Sequence, residues 1–327
     1  MAAQAGVSIA TVSKVINGRY GVAAGTLARV QAVIDELRYE SSIAAQSLRS
    51  HRTNVIGILV TDIEPFSAEL LKGAARAIRG TGYELVVYSG GGLGSVGAGW
   101  ERRYLSRVSG TLTDGTILVT PSVVDVVTHG APVVAVDPHT GPSNLPSVAS
   151  DNLAGAITAT RYLIDLGHRR IGFLAGRPDL ESARLREQGF RQALGVAGIE
   201  LDPDLVGVGE YQSESAEEPA RQMLRLRRPP TAVFAANDVM AIEMMRVARS
   251  LGVAVPRDLS VIGFDNIPES ALAEPGLTTI EQPIQGMGFE AVRMVIALID
   301  EAYEGPMQLT LPTALVVRQS CRAAAPR

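Results

Sequence analysis

Acidic and amide side chains follow several short apolar runs of this sequence. They are Asp62, Asp137, Asn237 and Asp265. Carboxylates accept hydrogen bonds and carboxamides both donate and accept them, so such a group suits the vicinal hydroxyls of a sugar. The run 182–190 adds two arginines, Arg184 and Arg186, either of which brings a rigid fork of five donors, and Tyr211 offers an aromatic face. We expect residues of this set, together with Phe66, to bind a small molecule.

The elements that would position these side chains alternate along the chain after residue 53. Strands are predicted over 55–60, 84–88, 115–119, 132–136, 170–174, 232–235 and 259–264, and helices over 67–79, 152–166, 182–195, 238–251 and 286–301. Short buried strands separated by helices indicate parallel sheets covered on both faces. The predicted fold class is therefore α/β. Open sheets of this class bind ligands at the carboxyl ends of their strands, where the polar residues lie.

The first forty residues have a different pattern. Gly6 permits a tight turn, and Ser8 is placed to cap a helix whose apolar side chains, Val12, Val15 and Ile16, recur at i, i+3 and i+4. Asn17-Gly18 is a typical helix stop. A further amphipathic run over 24–37 carries one apolar stripe, made of Leu27, Val30, Ile34 and Leu37. The sequence thus predicts a small all-α helix-turn-helix head that contacts DNA.

The charge is distributed unevenly between the two parts. Through residue 53 there are six basic and three acidic residues, a net charge of +3, whereas the whole chain carries −4. The remainder therefore carries −7. A basic head on an acidic body suits contact with phosphates at one end only.

Composition limits the class of protein further. A length of 327 residues suggests about two domains at roughly 150 residues each. One cysteine, Cys321, allows no intramolecular disulfide, and no apolar run reaches the length of about 18 residues that a membrane span needs. The four histidines show no metal-ligand spacing and no serine stands in a nucleophile-elbow pattern. We therefore expect a soluble cytoplasmic protein that is not an enzyme and has no cofactor, metal or membrane partner.

The residues 5–8, 11–15 and 17–18 together resemble the head of the lactose and galactose repressor (LacI/GalR) family of transcriptional regulators, and the likeness continues to the C-terminus. In that family the second helix enters the major groove of DNA. The resemblance implies that Ile9, Ala10 and Lys14 face base edges. It also implies that Ser8, Thr11, Ser13 and Asn17 lie near phosphates or bases. Lys14 could reach guanine, whereas Ile9 and Ala10 could offer apolar contact to thymine methyl groups.

A hinge is expected over 41–52, after a head over 1–40. Its segment 42–48 is too short to form a stable isolated helix. The resemblance implies that a partner subunit and the DNA minor groove hold it, with Leu48 wedged into a base step; a plain linker is the alternative. The chain departs from the family at Ser41 and Ser42, where Pro-Asn is usual, and at Ile43. The family's first helix begins about seven residues earlier, so the resemblance implies that this helix is shortened here.

After residue 53 the resemblance implies a two-lobed, periplasmic-binding-protein-like core. Lobe 1 would comprise about 53–149 and 280–306, and lobe 2 about 150–279 and 307–327. The family's Arg-x-x-Gly-aromatic pattern falls on Arg186, which favours this residue over Arg184. The patterns Ala-Asn-Asp, Gly-aromatic-Asp and an aromatic after Gly-Glu fall on Asn237, Asp265 and Tyr211. A flat nucleobase would need two aromatic faces, so a mono- or disaccharide is the favoured ligand.

The resulting hypothesis is a homodimeric repressor that binds a double-stranded DNA operator and responds to a sugar. A sugar-binding transport component without DNA binding is one alternative. The other is an NAD-dependent oxidoreductase, suggested by the G-x-G-x-x-G run over 92–97 with Asp114 about twenty residues later. That run follows the second strand of its sheet, after an interposed glycine stretch. We therefore interpret it as a surface loop.

Overall fold

The structure is a computed structural model that describes residues 1–16, 21–37, 52–90, 100–108, 112–121, 130–139 and 145–325. Internal contacts divide the chain into two units, Met1–Thr53 and Asn54–Arg327. Among the described helices, none combines the length and the apolar character needed to cross a bilayer.

The described residues of the N-terminal unit form three helices: α1 (Ala2–Ala5), α2 (Ile9–Ile16) and α3 (Ala24–Glu36). Gly6 ends α1 with φ of 62°, and the Ser8 hydroxyl accepts a hydrogen bond from the Thr11 amide at 3.1 Å, as a capping serine does. The three helices enclose a small core of Ala5, Val12, Val15, Val30 and Val33.

The apolar face of α3 differs from its predicted stripe. Leu27 and Leu37 are 46 % and 47 % exposed, whereas Val33, which the stripe omitted, is buried beside Val30. The predicted stripe consists of residues 27, 30, 34 and 37. Leu37 lies past the end of the helix at Glu36 and Leu27 lies in its first turn, so these two residues lie at the margins of the contact with α1 and α2. Position 33 lies one turn beyond Val30 and faces the core.

The first sheet of the C-terminal unit is entirely parallel. Its strands are β1 (Val55–Val60), β2 (Glu84–Ser89), β3 (Gly115–Val119), β4 (Val133–Val136), β5 (Ser147–Ser150) and β11 (Gln308–Leu311). They lie in the order β11-β5-β4-β3-β1-β2. The helices of this lobe are α4 (Pro65–Ala77), α5 (Trp100–Val108) and α11 (Ile284–Ile299). Strands β1, β3 and β4 are buried along their whole length, as continuous apolar runs predict for a sheet covered on both faces.

The second sheet has the same plan. Its strands are β6 (Ile171–Ala175), β7 (Val206–Val208), β8 (Ala232–Ala235), β9 (Ser260–Asp265), β10 (Thr278–Glu281) and β12 (Ala314–Val316), in the order β12-β10-β9-β8-β6-β7. Only the β10–β12 pair is antiparallel. Its helices are α6 (Asn152–Asp165), α7 (Glu181–Val196), α8 (Ser213–Leu224), α9 (Asp238–Ser250) and α10 (Pro268–Leu272). The predicted α/β class is confirmed.

The chain passes between the lobes after β5, after β10 and between β11 and β12. The structure differs from the predicted lobe boundaries at the last two passages. Ile280 belongs to β10 in the second sheet. The segment 307–327, expected in lobe 2, contains two strands, of which β11 extends the first sheet beside β5 and β12 pairs with β10. Pro312 separates them, because a residue without a backbone N–H interrupts a ladder.

Each lobe has its own core. In lobe 1, α4 crosses α11 so closely that a Cβ on Gly73 would overlap the carbonyl oxygen of Gln285. In lobe 2, the rings of Phe173 and Phe190 stack at 4.8 Å. These cores hold the carboxyl ends of the two sheets in place, since a close-packed interior allows little displacement of its elements.

Candidate functional site

A cavity of about 460 Å³ lies where the carboxyl ends of the strands of both lobes meet. All seven residues predicted to bind a small molecule line it: Asp62, Phe66, Asp137, Arg186, Tyr211, Asn237 and Asp265. Asp62 follows β1, Asp137 follows β4, and Asp265 is the last residue of β9. The topology therefore brings together side chains that are up to 203 positions apart in the sequence, counted from Asp62 to Asp265.

Arg186 of α7 is the most connected of these side chains. It is 3 % exposed, and its Nε donates to the Asn152 side-chain oxygen at 2.8 Å. Its Nη1 donates to the Ala236 carbonyl at 2.5 Å and to Asp265 Oδ1 at 3.3 Å, while the guanidinium lies 3.8 Å from the centre of the Phe264 ring. The guanidinium is thus fixed on one side and borders the cavity on another.

Two of the predicted residues are tied to the passages between the lobes. Asn152, the first residue after the first passage, donates to Asp137 at 3.3 Å. Gln282, at the second passage, donates to Asp265 at 2.6 Å and accepts from the Ser150 hydroxyl at 2.7 Å. A ligand that touches Asp137 or Asp265 therefore contacts side chains bonded to residues beside the segments that connect the two lobes.

Several further residues line the cavity that the sequence reasoning missed. They include Glu64, Thr120, His139, Ser182, Glu210 and Gln282. Gln282 follows a strand whose sequence, Thr-Thr-Ile-Glu, has no apolar run, and Glu64 precedes a helix. Their position in the sequence could have identified them, because each lies near the end of a strand or the start of a helix, close to a residue that was predicted.

The cavity perturbs the ionisation of its acidic groups. Burial raises the pKa of Asp137 and of Asp265, and in both cases the nearby Arg186 guanidinium offsets part of the rise. Desolvation by the surrounding protein, and next the negative charge of Asp265, raise the pKa of Glu64 to about 7. Burial and then the positive charge of Arg177 lower the pKa of His139 to about 4, so this ring is neutral at pH 7.

Five residues other than glycine line the cavity with left-handed backbones. Thr120, Asp137, Glu210, Tyr211 and Asp265 have φ of 47°, 49°, 54°, 66° and 115°. A positive φ is unfavourable for residues with a Cβ, and most of all for a β-branched threonine. Strained conformations that concentrate at one place are typical of a binding site, because surrounding structure must maintain them.

The predicted DNA-contacting residues lie along α2 and its cap. Ser8, Ile9, Ala10 and Lys14 are exposed, and Thr11 and Ser13 are half-buried. Ile9 is 78 % exposed. Asn17, Leu48 and the glycine run over 92–97 lie outside the described residues, as does the segment 42–48.

Comparison with known proteins agrees with both parts of the molecule. Residues 1–42 match the bacterial regulatory proteins of the lacI family, and residues 160–321 match the periplasmic binding protein-like domain. The HTH-type transcriptional repressor PurR of Photobacterium profundum is 33 % identical over 329 residues, which cover 98 % of this chain and 97 % of that protein. The HTH-type transcriptional regulator CelR of Thermobifida fusca is 34 % identical, with 98 % and 96 % covered.

Solved structures show the same relationship. The complex of the transcriptional regulator CelR with cellobiose is 34 % identical, covers 98 % of each chain and has a TM-score of 0.75. The lac repressor dimer bound to operator and the anti-inducer ONPF is 27 % identical, again over 98 % of each chain, with a TM-score of 0.87. This chain therefore belongs to the lacI family of bacterial regulatory proteins, and it is a DNA-binding transcriptional regulator and not an enzyme.

Proposed function

We propose that the protein is a repressor whose affinity for its operator is controlled by a saccharide bound in the cavity between the two lobes. The effector occupies the space lined by Arg186, Asp137, Asp265, Asn237 and Tyr211. It closes the lobes on each other and thereby changes the geometry of the DNA-binding heads. Coupling of this kind is worth about 1–3 kcal/mol, enough for a roughly 5- to 150-fold change in operator affinity.

One observation carries this proposal. The cavity combines fixed donors and acceptors from both lobes with aromatic side chains, Phe66 from lobe 1 and Tyr211 from lobe 2. Two aromatic side chains remove the sequence-based argument against a flat nucleobase, so the polar lining is what favours a saccharide. Carboxylate, carboxamide and guanidinium groups match pairs of hydroxyls, and an aromatic side chain matches the apolar face of a pyranose. CelR, which this chain matches over 98 % of each chain, forms a complex with cellobiose, which makes a disaccharide the first compound to test.

The DNA-binding part of the proposal places the protein in the cytoplasm as a homodimer. One short recognition helix reads too few base pairs for useful specificity, so two heads on a pseudo-palindromic operator are required. The exposed face of α2, with Ser8, Ile9, Ala10 and Lys14, enters the major groove. Thr11, Ser13 and Asn17 fix its position on the backbone, and Leu48 enters the minor groove beside it.

The proposal is tested by selecting duplexes from a random pool with the full-length protein, with and without cellobiose and other saccharides. A single operator sequence is expected, and one saccharide is expected to change its affinity. Lys14→Ala should weaken operator binding by about 1–3 kcal/mol and relax the preference at one base pair, because Lys14 is the exposed cation of α2. Binding is measured by fluorescence anisotropy.

Arg76, a cation in the last turn of α4, provides the matched control. Arg76→Ala removes one positive charge outside the head and should leave the base preference unchanged. If Lys14→Ala left the base preference unchanged, Lys14 would not take part in sequence recognition. A protein that selects no duplex under any of the saccharides would refute the proposed function.

Gly176, the residue after β6, tests the role of Tyr211 in effector binding. A Cβ at this position would overlap the Tyr211 ring. Gly176→Ala should therefore displace the ring and lower effector affinity by at least about tenfold, since one lost contact of about 1.4 kcal/mol has that effect. The measurement is the rise in melting temperature that a saturating saccharide causes.

Gly195→Ala is the control for this substitution. Gly195 lies in the last turn of α7, where a Cβ would meet nothing within 4 Å. This variant should keep the full saccharide-induced rise. An equally full rise in Gly176→Ala would show that Tyr211 does not contact the effector.

A further inference from the structure

The cavity carries a marked excess of negative charge. Among its described lining residues, six are acidic, namely Asp62, Glu64, Asp137, Glu210, Glu214 and Asp265, and two are arginines, Arg177 and Arg186. Both arginines are engaged. Arg177 forms a two-pronged pair with Asp179, at 3.1 and 2.6 Å, and Arg186 is held by Asp265 and the Ala236 carbonyl. Little positive charge remains to balance the other carboxylates.

Glu64 is one of the cavity carboxylates that have no paired cation among the described residues. It lies at the N-cap position of α4 and is exposed, and Oε1 accepts a hydrogen bond from the Ser67 hydroxyl at 3.1 Å. Among the described residues, no lysine or arginine forms an ion pair with it, and the charged groups that act on it most strongly are two acids, Asp265 and then Asp62. Like charges in a partly enclosed space disfavour the ionised form. A cation placed here would relieve that repulsion.

Binding the hydroxyl groups of a neutral sugar does not explain the excess of carboxylates in the cavity. Asp137, Asp265 and Asn237 already supply acceptors beside the Arg186 donors, as a sugar ring requires. Glu64 adds a further negative charge from lobe 1 at the start of α4, where its side chain makes no capping hydrogen bond, so capping does not explain this charge. An anionic ligand would meet carboxylates that form no ion pair among the described residues, namely Asp62, Glu64, Glu210 and Glu214.

We propose that the effector is a cationic saccharide, an amino sugar or an oligosaccharide that contains one, and that Glu64 binds its ammonium group. This inference rests on the proposed function, because it identifies the class of saccharide that enters the same cavity. Asp62 lies on the same loop and adds to the negative potential. Glu64 is then a specificity-determining residue that separates amino sugars from their neutral counterparts.

The test compares matched sugars that differ only in charge. Glucose, galactose and mannose are each paired with their 2-amino derivative, and cellobiose is paired with the β-1,4-linked disaccharide of glucosamine. Glucuronate provides an anionic counterpart. Binding to the full-length protein is measured at pH 7 and constant salt by calorimetry and by melting temperature. A charge-assisted hydrogen bond predicts that one amino sugar binds about tenfold more tightly than its neutral partner.

Two variants separate the role of Glu64 from a general effect of charge. Glu64→Gln keeps an acceptor for Ser67 and should reduce the preference for the amino sugar to about twofold or less. Glu304→Gln removes the same charge from an exposed position outside the cavity and should retain the wild-type preference.

The outcomes distinguish the inference from the function on which it rests. Tighter binding of a neutral sugar than of its amino derivative, or an unchanged preference in Glu64→Gln, would overturn the cationic-ligand proposal and leave a neutral saccharide effector in place. Failure of every saccharide, neutral, cationic and anionic, to bind would overturn the saccharide effector itself.

Discussion

Arg186→Ala is expected to abolish the response to effector and to lower the free energy of unfolding of the core by about 3–5 kcal/mol. The guanidinium is 3 % exposed and serves Asn152, Ala236 and Asp265 at once. Its removal takes the side-chain donor from the buried Ala236 carbonyl and the paired cation from buried Asp265, which keeps only the hydrogen bond from Gln282 among those described. An unpaired buried polar group carries its full desolvation cost, which exceeds the value of the bond that was lost.

Because such a loss could prevent folding, a second variant isolates the contribution to binding. Arg186→Lys keeps the positive charge beside Asp265 but lacks the planar fork, so it should fold and still bind effector at least about tenfold less tightly. Calorimetric titration with the selected saccharide and urea unfolding measure the two effects.

Arg191→Ala serves as the control for both Arg186 variants. Arg191 lies on the same helix, its side chain is 53 % exposed, and among the described residues its ion-pair partner is Glu187, four residues earlier. An exposed pair of this kind contributes about 0.5 kcal/mol or less, so neither unfolding nor binding should change measurably. A normal effector response in Arg186→Lys would remove the guanidinium from the binding site.

The parts of the fold that the sequence predicted are those whose burial is complete. Strand β1, Val-Ile-Gly-Ile-Leu-Val, is apolar throughout because helices cover both faces of its sheet. Strands β5, Ser-Val-Ala-Ser, and β10, Thr-Thr-Ile-Glu, escaped prediction because their polar side chains find partners only in the folded protein. The Thr279 hydroxyl, for example, donates to buried Asp238 at 2.5 Å.

The residues of the candidate site likewise fall into those that the sequence pattern identified and those that only the fold brings to the cavity. Asp62, Asp137 and Asp265 could be named because polar residues stand out after apolar runs and the rule for open α/β sheets assigns them to one edge. Glu64 and Gln282 could not, since Glu64 lies four positions past the predicted strand 55–60, next to a helix, and Gln282 follows a strand that was not predicted. The network around Arg186 likewise depends on residues 34 and 79 positions away, Asn152 and Asp265, whose proximity follows from topology and not from local pattern.

The crossing of α4 and α11 gives the second large expected effect. A Cβ on Gly73 would overlap the carbonyl oxygen of Gln285, and a Cβ on Gly288 would overlap the carbonyl oxygen of Leu70. The obstacle is backbone in both cases, so no side-chain rotation can relieve it. Gly73→Ala should lower the free energy of unfolding by about 3 kcal/mol, because overpacking that shifts a helix costs this much.

The same substitution should weaken effector binding. Residues Ile284, Met287 and Ala291 seat α11 in the lobe 1 core, and Gln282, two residues before this helix, donates to Asp265 in the cavity. A displacement of α11 therefore moves a side chain that borders the effector. Gly195→Ala, a helical glycine with open space around it, should instead be neutral or stabilising by about 0.5–1 kcal/mol.

Urea unfolding of both variants and calorimetric titration with the selected saccharide measure the two consequences together. Gly73→Ala and Gly288→Ala act on one crossing, so the double variant should lose less stability than the sum of the single losses. Additive losses would mean that the two glycines serve independent contacts. Wild-type stability in Gly73→Ala would contradict the close contact between α4 and α11, because a Cβ at position 73 would then fit without displacing α11. The position of Gln282 would in that case depend on its own bonds to Ser150 and Asp265.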